Sequence, residues 1–163
     1  MNPAELANLQ AVLEALKDAP PGSVMELKDG ARASVADELP GSRGIVVQNS
    51  DGSGWQMRVY QPSENRPEGY PPEMPFVPNT NMSLTHGSEG NVMAVWETTD
   101  PEWLFEELTM LAGATGWTAQ PDNPMFAHLP GGMKMRELKQ ADRARFIMRM
   151  ASKEQGVVAV FDA

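Results

Sequence analysis

The two histidines are the side chains in this sequence best suited to acid–base or metal chemistry near neutral pH. His86 lies in a Gly/Ser-rich stretch with Glu89 three residues further on, and His128 lies in a predicted strand. Metal sites gather several imidazole and carboxylate ligands at recognisable spacings, and these three residues with Asp122 could supply them. Nothing in the sequence requires that arrangement. A solvated His86 and a half-buried His128 are therefore the preferred interpretation, and we predict no metal or cofactor.

The sequence carries no signature of covalent or paired-carboxylate catalysis. It has no cysteine, which excludes a thiol nucleophile and a zinc–thiolate site. It contains neither a G-x-S-x-G elbow nor an S-x-x-K pair. Glu106 and Glu107 are adjacent on a predicted helix, so their carboxylates diverge. We predict no catalytic residue, although a hydrolase whose site is not visible in sequence stays open as an alternative.

A glycine-rich turn at 130–132 precedes Lys134 and Arg136. Flexible backbone followed by two cations could cradle an anion, although a hairpin turn explains the glycines and is preferred. The alternative function is therefore binding of a small anionic ligand or a nucleotide. The tentative ligand-binding residues are His86, Glu89, His128, Lys134 and Arg136.

The net charge of −9 is unevenly distributed along the chain. Residues 1–133 carry 18 acidic and 6 basic side chains, a charge of −12, whereas residues 134–163 carry 4 and 7, a charge of +3. An acidic body favours basic partners and opposes nucleic acid and anionic membranes. Solubility alone also explains the acidic charge and is the preferred explanation. The cations of 134–153 have three explanations, namely pairing with the acidic body, subunit association, or contact with an anion such as RNA. Internal pairing is preferred, and nucleic acid is not expected.

Helices are predicted at three places. Residues 2–17 carry leucines at three- and four-residue spacing. Residues 100–113 begin with a capping Asp and a Pro and end at Gly113. Residues 137–153 are interpreted as a cationic helix with Leu138 and Ile147 on its buried side. Together with the strands below, they predict one α+β domain over residues 1–163, with a mainly antiparallel sheet and two to three packed helices.

Short strands are predicted from period-two alternation and turn residues. The clearest hairpin joins GIVVQN at 44–49 to WQMRVY at 55–60, and residues 91–97 read as a central strand. The other predicted strands are 23–27, 31–36, 114–120, 125–129, 133–136 and 157–161.

Residues 61–90 are predicted to form a long loop. Six of the fourteen prolines lie between Pro62 and Pro78, and the apolar residues follow neither the helical nor the strand period. The loop could wrap the domain and bury its apolar side chains, which is preferred, or it could be a recognition loop. In the second case the tentative partner-binding residues are Tyr70, Met74, Phe76 and Met82.

These features predict a non-catalytic protein-binding module, such as a small acidic inhibitor, an immunity-type protein or a chaperone-like protein that acts on a basic partner. The twelve methionines agree with this prediction, since methionine suits surfaces that adapt to a partner. A homodimer is the alternative form of association. Residues 1–17 lack a leader pattern and no apolar run reaches about 18 residues. We therefore expect a cytoplasmic protein with no membrane contact.

Overall fold

The computed structural model describes residues 11–87, 92–151 and 156–162. These residues form a large antiparallel sheet of ten strands and two helices. The strands are β1 (Val24–Glu26), β2 (Arg32–Leu39), β3 (Ser42–Gln48), β4 (Gly54–Tyr60), β5 (Asn81–Gly87), β6 (Val92–Thr98), β7 (Thr118–Ala119), β8 (Met133–Gln140), β9 (Arg143–Ala151) and β10 (Gly156–Asp162). The helices are α1, residues 11–16, and α2 (Pro101–Ala114), with short 3-10 turns at Lys28–Gly30 and Pro124–Phe126.

The sheet is a meander that is interrupted once. Strands β1 to β6 follow one another in space, and α2 then leads to a second run in which β10 returns to pair with β6. The spatial order is β1-β2-β3-β4-β5-β6-β10-β9-β8-β7. The predicted antiparallel sheet with packed helices is therefore confirmed in outline, with the sheet more dominant than the sequence analysis expected.

Helix α2 forms where its capping residues predict it. The side chain of Asp100 accepts a hydrogen bond from the backbone N–H of Trp103 at 3.1 Å, and Pro101 occupies the first turn, where it has no N–H to satisfy. The C-terminus differs from the prediction. The helix continues through Gly113 to Ala114, and the left-handed conformation falls on Gly116, whose φ is +93°.

The predicted helix over 137–153 is wrong, because this segment forms the hairpin of β8 and β9 around Ala141. Its long unbranched side chains favour a helix locally, but its apolar and charged residues alternate with a period of two. Pairing with β10 fixes that alternation as strand. The prediction of a hairpin around 130–132 is also wrong for its first strand, because residues 125–129 form part of a 3-10 turn and a loop.

The long loop is shorter than predicted, because Asn81–Gly87 forms β5 between β4 and β6. Residues 61–80 pack over one end of the sheet. Tyr70, Met74 and Val77 are buried there, and the Tyr70 hydroxyl donates to the Pro75 carbonyl at 2.6 Å. This burial favours the wrapping interpretation of the loop.

The two helices cover opposite faces of the sheet. Directly opposite residues of an antiparallel sheet share a face, and the register runs from Met57 through Thr85 and Met93 to Phe161. We call this the α1 face, because Val12 and Leu16 of α1 pack on it. The other side is the α2 face. The core of the α1 face contains Ala33, Val35, Ile45, Val47 and Met57.

Helix α2 packs on the other half of the sheet, on the α2 face. Its buried side chains Leu104, Phe105 and Leu108 share one cluster with the loop residues and with strands β4 to β6 and β8 to β10. The cluster's strand residues from β6 to β10 are Ala94, Trp96, Leu138, Ile147, Val158 and Val160. Each helix therefore covers one half of one face. The predicted leucine stripe of α1 is described only in part, since Leu6 and Leu9 lie outside the described residues.

Candidate protein-binding surface

The α1 face continues beyond α1 onto strands β6, β10, β9 and β8, where it becomes apolar. The strand register lines up three rows of four residues across these strands. One row is Glu97, Val157, Met150 and Met133. The middle row is Val95, Ala159, Met148 and Met135. The last row is Met93, Phe161, Phe146 and Glu137.

Ten of these twelve side chains are apolar, and we call them the methionine face. The methionine face consists of Met93, Val95, Met133, Met135, Phe146, Met148, Met150, Val157, Ala159 and Phe161. It holds five of the chain's twelve methionines. Ala159 at its centre is buried and the other nine are half-buried. The two remaining positions are Glu97 and Glu137, which occupy diagonally opposite corners.

Described residues cover the methionine face only at its edge. Phe126 makes an edge-on contact with Phe146 at 6.3 Å between ring centroids, and Phe146 stacks on Phe161 at 5.6 Å. Within the described ranges, neither hydrophobic core includes any of the ten side chains. The methionine face is therefore open in one sense: apart from Ala159, its side chains keep part of their area exposed and lie outside both cores of the described part of the chain.

Strand alternation keeps cations away from this surface. Lys134, Arg136, Arg145 and Arg149 alternate with the methionines and phenylalanines along β8 and β9, so they point to the α2 face. Among the described cations of β8 and β9, Lys139 lies on the α1 face, and its Nζ is 3.8 Å from Oε1 of Glu137. The apolar surface therefore has lysine and arginine on its reverse side, and Glu97, Glu137 and Lys139 at its border.

The cations of the reverse side are paired with carboxylates of the chain. Arg136 donates two hydrogen bonds to Glu106, at 3.0 and 3.2 Å, and these bonds hold the pKa of Glu106 below its ordinary value. Lys134 lies 3.7 Å from Glu102, and Arg149 also pairs with Glu102. Internal pairing, the preferred explanation of the basic segment, is confirmed for these side chains.

Arg145 is the most deeply buried cation, with 2% of its side chain exposed. Its Nε donates to Asp162 at 2.7 Å and its Nη1 donates to the carbonyl of Glu73 at 3.3 Å. The guanidinium also lies 4.5 Å from the ring centroid of Trp117. Arg145 therefore ties β9 to β10 and to the long loop.

The tentative ligand-binding residues do not converge on one site. His86 is exposed on β5, and Lys134 and Arg136 lie on β8, four strands away or about 19 Å. His128, predicted in a strand and half-buried, is exposed in a turn, because the preceding segment forms a 3-10 turn instead of a strand. Glu89 lies outside the described residues. In the part of the chain that the structure describes, no three His, Asp or Glu side chains group as metal ligands would.

His86 instead borders a cavity of about 210 Å³ with a mixed lining, in which Asp37, Gln56 and Arg58 are polar residues and Ile45, Met57 and Leu84 are apolar ones. Arg58 donates to Asp37 at 2.7 Å, and this bond holds the pKa of Asp37 below its ordinary value. Gly44 makes room for the pair, since a Cβ there would lie 3.0 Å from both side chains. Ligand pockets usually enclose about 300–1,000 Å³, so this cavity is too small for a nucleotide.

The tentative partner-binding residues Tyr70, Met74 and Met82 are buried in the core of the α2 face, and Phe76 is half-buried beside them. The open apolar surface lies on the opposite face. Sequence reasoning missed it because it interpreted 137–153 as a helix. The signal that would have found it is the alternation in MKMREL at 133–138 and in RFIMRM at 145–150.

Comparisons with protein-family models, with curated proteins and with solved structures find no match to this chain. Its function is therefore argued from the surface itself. Over the described ranges, neither helix has the length and apolar character needed to cross a membrane.

Proposed function

We propose that this protein is a non-catalytic protein-binding module that acts on a basic partner through the methionine face. The observation that carries the proposal is the open apolar surface on β6, β10, β9 and β8. Four strands at 4.8 Å and six residues at 3.4 Å give it a footprint on the order of 400 Å². The largest apolar patch on a monomeric protein usually measures about 300–600 Å² and is often functional.

The composition of the surface supports a protein partner. Methionine side chains are unbranched and polarisable, so a surface rich in them can repack against the shape of an occupant. The choice among an inhibitor, an immunity-type protein and a chaperone-like protein stays part of the proposal.

The charge distribution supports a basic partner. The chain carries a net charge of −9, and exposed Glu97 and half-buried Glu137 border the surface. Lys139 lies 3.8 Å from Glu137 on the same face, which leaves a charge of −1 over these three border residues. Lys134, Arg136 and Arg149 are paired with Glu102 and Glu106 on the reverse side. A partner with lysine or arginine beside its apolar contact meets complementary charge.

Site-specific cross-linking in the cells that produce the protein tests this proposal. A photoreactive p-benzoylphenylalanine replaces Met148 on the methionine face or, as the matched control, Met110, which is 68% exposed on α2. We expect a discrete adduct with a basic protein from position 148 and none from position 110. The purified partner should then lose binding to Met148→Glu and retain binding to Met110→Glu. Identical adducts from both positions, or adducts with a second copy of this chain alone, would contradict the proposal.

A second candidate function differs from the anionic-ligand alternative: it is binding of a small ligand that carries an amine or a hydroxyl, and one observation favours it. Asp37 Oδ1 is buried beside the cavity without a hydrogen-bond partner in the described structure. A ligand amine or hydroxyl could donate to this oxygen, and His86 could contact the same ligand. Thermal-shift screening with small amines and hydroxy acids, on the wild type and on His86→Ala, tests this alternative. A shift lost in the variant would support it, and no shift with any compound would oppose it.

A further inference from the structure

We infer that the partner presents a basic amphipathic α-helix to the methionine face. The inference rests on the proposed function and specifies the chemistry of the partner. It comes from how the two faces of this sheet are occupied, and from the two carboxylates that border the open surface.

Each face of the sheet can be divided into a first half, β1 to β5, and a second half, β6 and β10 to β7. Helices cover two of the four half-faces defined in this way. Helix α1 covers the first half of the α1 face, and α2 covers the second half of the α2 face. The first half of the α2 face carries the cavity near Arg58 and His86, and the long loop packs beside it through Tyr70 and Met74. The methionine face occupies the remaining half-face. Like the two half-faces that the helices cover, it is apolar.

The arrangement of side chains suits a helix that runs along the diagonal between Glu97 and Glu137. Such a helix would pass over Ala159 and Met148 in the middle row. The methionines on either side of this diagonal, Met93 on one side and Met133, Met135 and Met150 on the other, can adjust to its side chains.

Backbone hydrogen bonding also favours a helix over an extended segment. A sheet face presents side chains and leaves no backbone donors or acceptors for an occupant, because those groups are used within the sheet. An extended segment laid across the surface would bury peptide groups without partners, at a cost for each. A helix satisfies its backbone within itself and buries only its apolar stripe.

The two border carboxylates set the length and the charge of the helix. Glu97 and Glu137 are separated by three strand spacings, about 14 Å, and by four residues along the strands, about 13 Å. Their diagonal is therefore about 20 Å, or roughly 13 residues of helix. We expect an apolar stripe with a lysine or arginine near each end. Lys139 lies near Glu137 but at 3.8 Å, so that carboxylate can still accept from a partner.

A second copy of this chain is a poorer occupant. It would bring a further net charge of −9 and two more border carboxylates to the same interface. Like charges in close apposition oppose association. Sedimentation of the free protein is therefore expected to show a monomer at micromolar concentration.

Peptide binding to the full chain, labelled with ¹³C at the methionine methyl groups, tests the inference. The first probe is a peptide of about 18 leucines and lysines, long enough to form a helix, with leucines at helical spacing. The second has the same composition with a leucine at every second position. The third keeps the helical spacing and replaces lysine with glutamate.

We expect the first peptide to shift the methyl signals of Met93, Met133, Met135, Met148 and Met150. The signals of Met57, Met74, Met82 and Met110 should stay unchanged, because three are in the cores and Met110 lies on α2. Met148→Glu should weaken binding at least tenfold, and Met110→Glu should change it less than twofold. Met135→Glu serves as a second variant if Met148→Glu does not fold.

Three outcomes would overturn the inference. If the period-two peptide shifts these signals and the helical one does not, the occupant is extended, and the proposed protein-binding function still stands. If the glutamate peptide binds as tightly as the lysine peptide, the basic character of the partner is wrong. If sedimentation shows a dimer that Met148→Glu dissociates, the surface belongs to a second copy, and both the inference and the proposed function fail.

Discussion

At the scale of single residues, the alternation of β8 and β9 separates two sets of side chains. Arg145, Arg149 and Arg136 connect the reverse side to β10 and α2 through carboxylates, while Phe146, Met148 and their neighbours lie on the other side, outside both described cores. The arginines therefore stabilise the fold, and we propose that the methionines contact a partner.

Replacing Arg145 with Ala is expected to destabilise the protein by about 2–4 kcal/mol, because it leaves Asp162 without its partner inside the fold. Asp162 is 30% exposed, so water relieves part of the cost and keeps it at the lower end of buried pairs. Arg143→Ala is the control, since Arg143 is exposed and contacts the same Trp117 ring at 5.3 Å. Urea unfolding of both variants measures the difference, and equal losses would contradict the assigned role of Arg145.

The Glu106–Arg136 pair predicts a pH dependence of stability. The pKa of Glu106 in the folded protein lies below its ordinary value of 4.5. Its contribution is therefore fully present above that value and is lost as the pH falls through the folded pKa. Because the side chain of Glu106 is 51% exposed, we expect only about 0.2–1 kcal/mol.

Urea melts between pH 6 and pH 3, on the wild type and on Glu106→Gln, measure this contribution. The free energy of unfolding should fall less for the variant than for the wild type as the pH drops from 6 to 3. Glu107→Gln is the matched control, because no ion pair to Glu107 is found among the described residues. An equal fall in all three proteins would contradict the contribution assigned to the Glu106–Arg136 pair.

At the scale of elements, local signals predicted α2 and the β3–β4 hairpin well. Asp100 and Pro101 fix the start of α2, and alternation over 55–60 fixes β4; both depend on neighbours in sequence. The predicted strand over 114–120 shrinks to Thr118–Ala119. The hairpin of β8 and β9 was missed because its residues individually favour helix, and their alternation becomes decisive only when β9 pairs with β10 and α2 packs on the sheet.

Replacing Leu108 with Ala tests the packing of α2. Leu108 is fully buried among Trp96, Ile147 and Val158, so the variant should lose about 2–5 kcal/mol through lost burial and a residual cavity. Leu111→Ala, on the half-buried flank of the same helix, should lose less. Denaturant melts of both variants measure this order, and a loss below about 1 kcal/mol for Leu108→Ala would contradict the packing of α2 described above.

At the scale of the whole molecule, composition and charge predicted the class of function proposed here but not its location. The acidic net charge and the many methionines are visible in the sequence. The surface that combines them exists only after four strands, two of them from the misassigned segment, are placed side by side. The tentative site residues were chosen from loops and turns, whereas the open apolar surface lies on the sheet.

The charge distribution also predicts that the protein does not bind nucleic acid at physiological ionic strength. Arg136, Arg145 and Arg149 are engaged by Glu106, Asp162 and Glu102, so few cations remain to replace phosphate counterions. Gel-shift titration with mixed-sequence RNA and DNA at two salt concentrations checks this. Micromolar affinity that falls steeply with salt would contradict the proposed protein partner.

The measurement that tests the central claim most directly is the oxidation rate of each methionine by dilute hydrogen peroxide, followed by mass spectrometry. It is made on the free protein and on the protein saturated with the partner captured at position 148. In the free protein, Met93, Met133, Met135, Met148 and Met150 should oxidise faster than buried Met57, Met74 and Met82. With the partner bound, those five should slow together while Met110 is unchanged. Protection of the five already in the free monomer, or no change on binding, would contradict the claim that the methionine face is the binding surface.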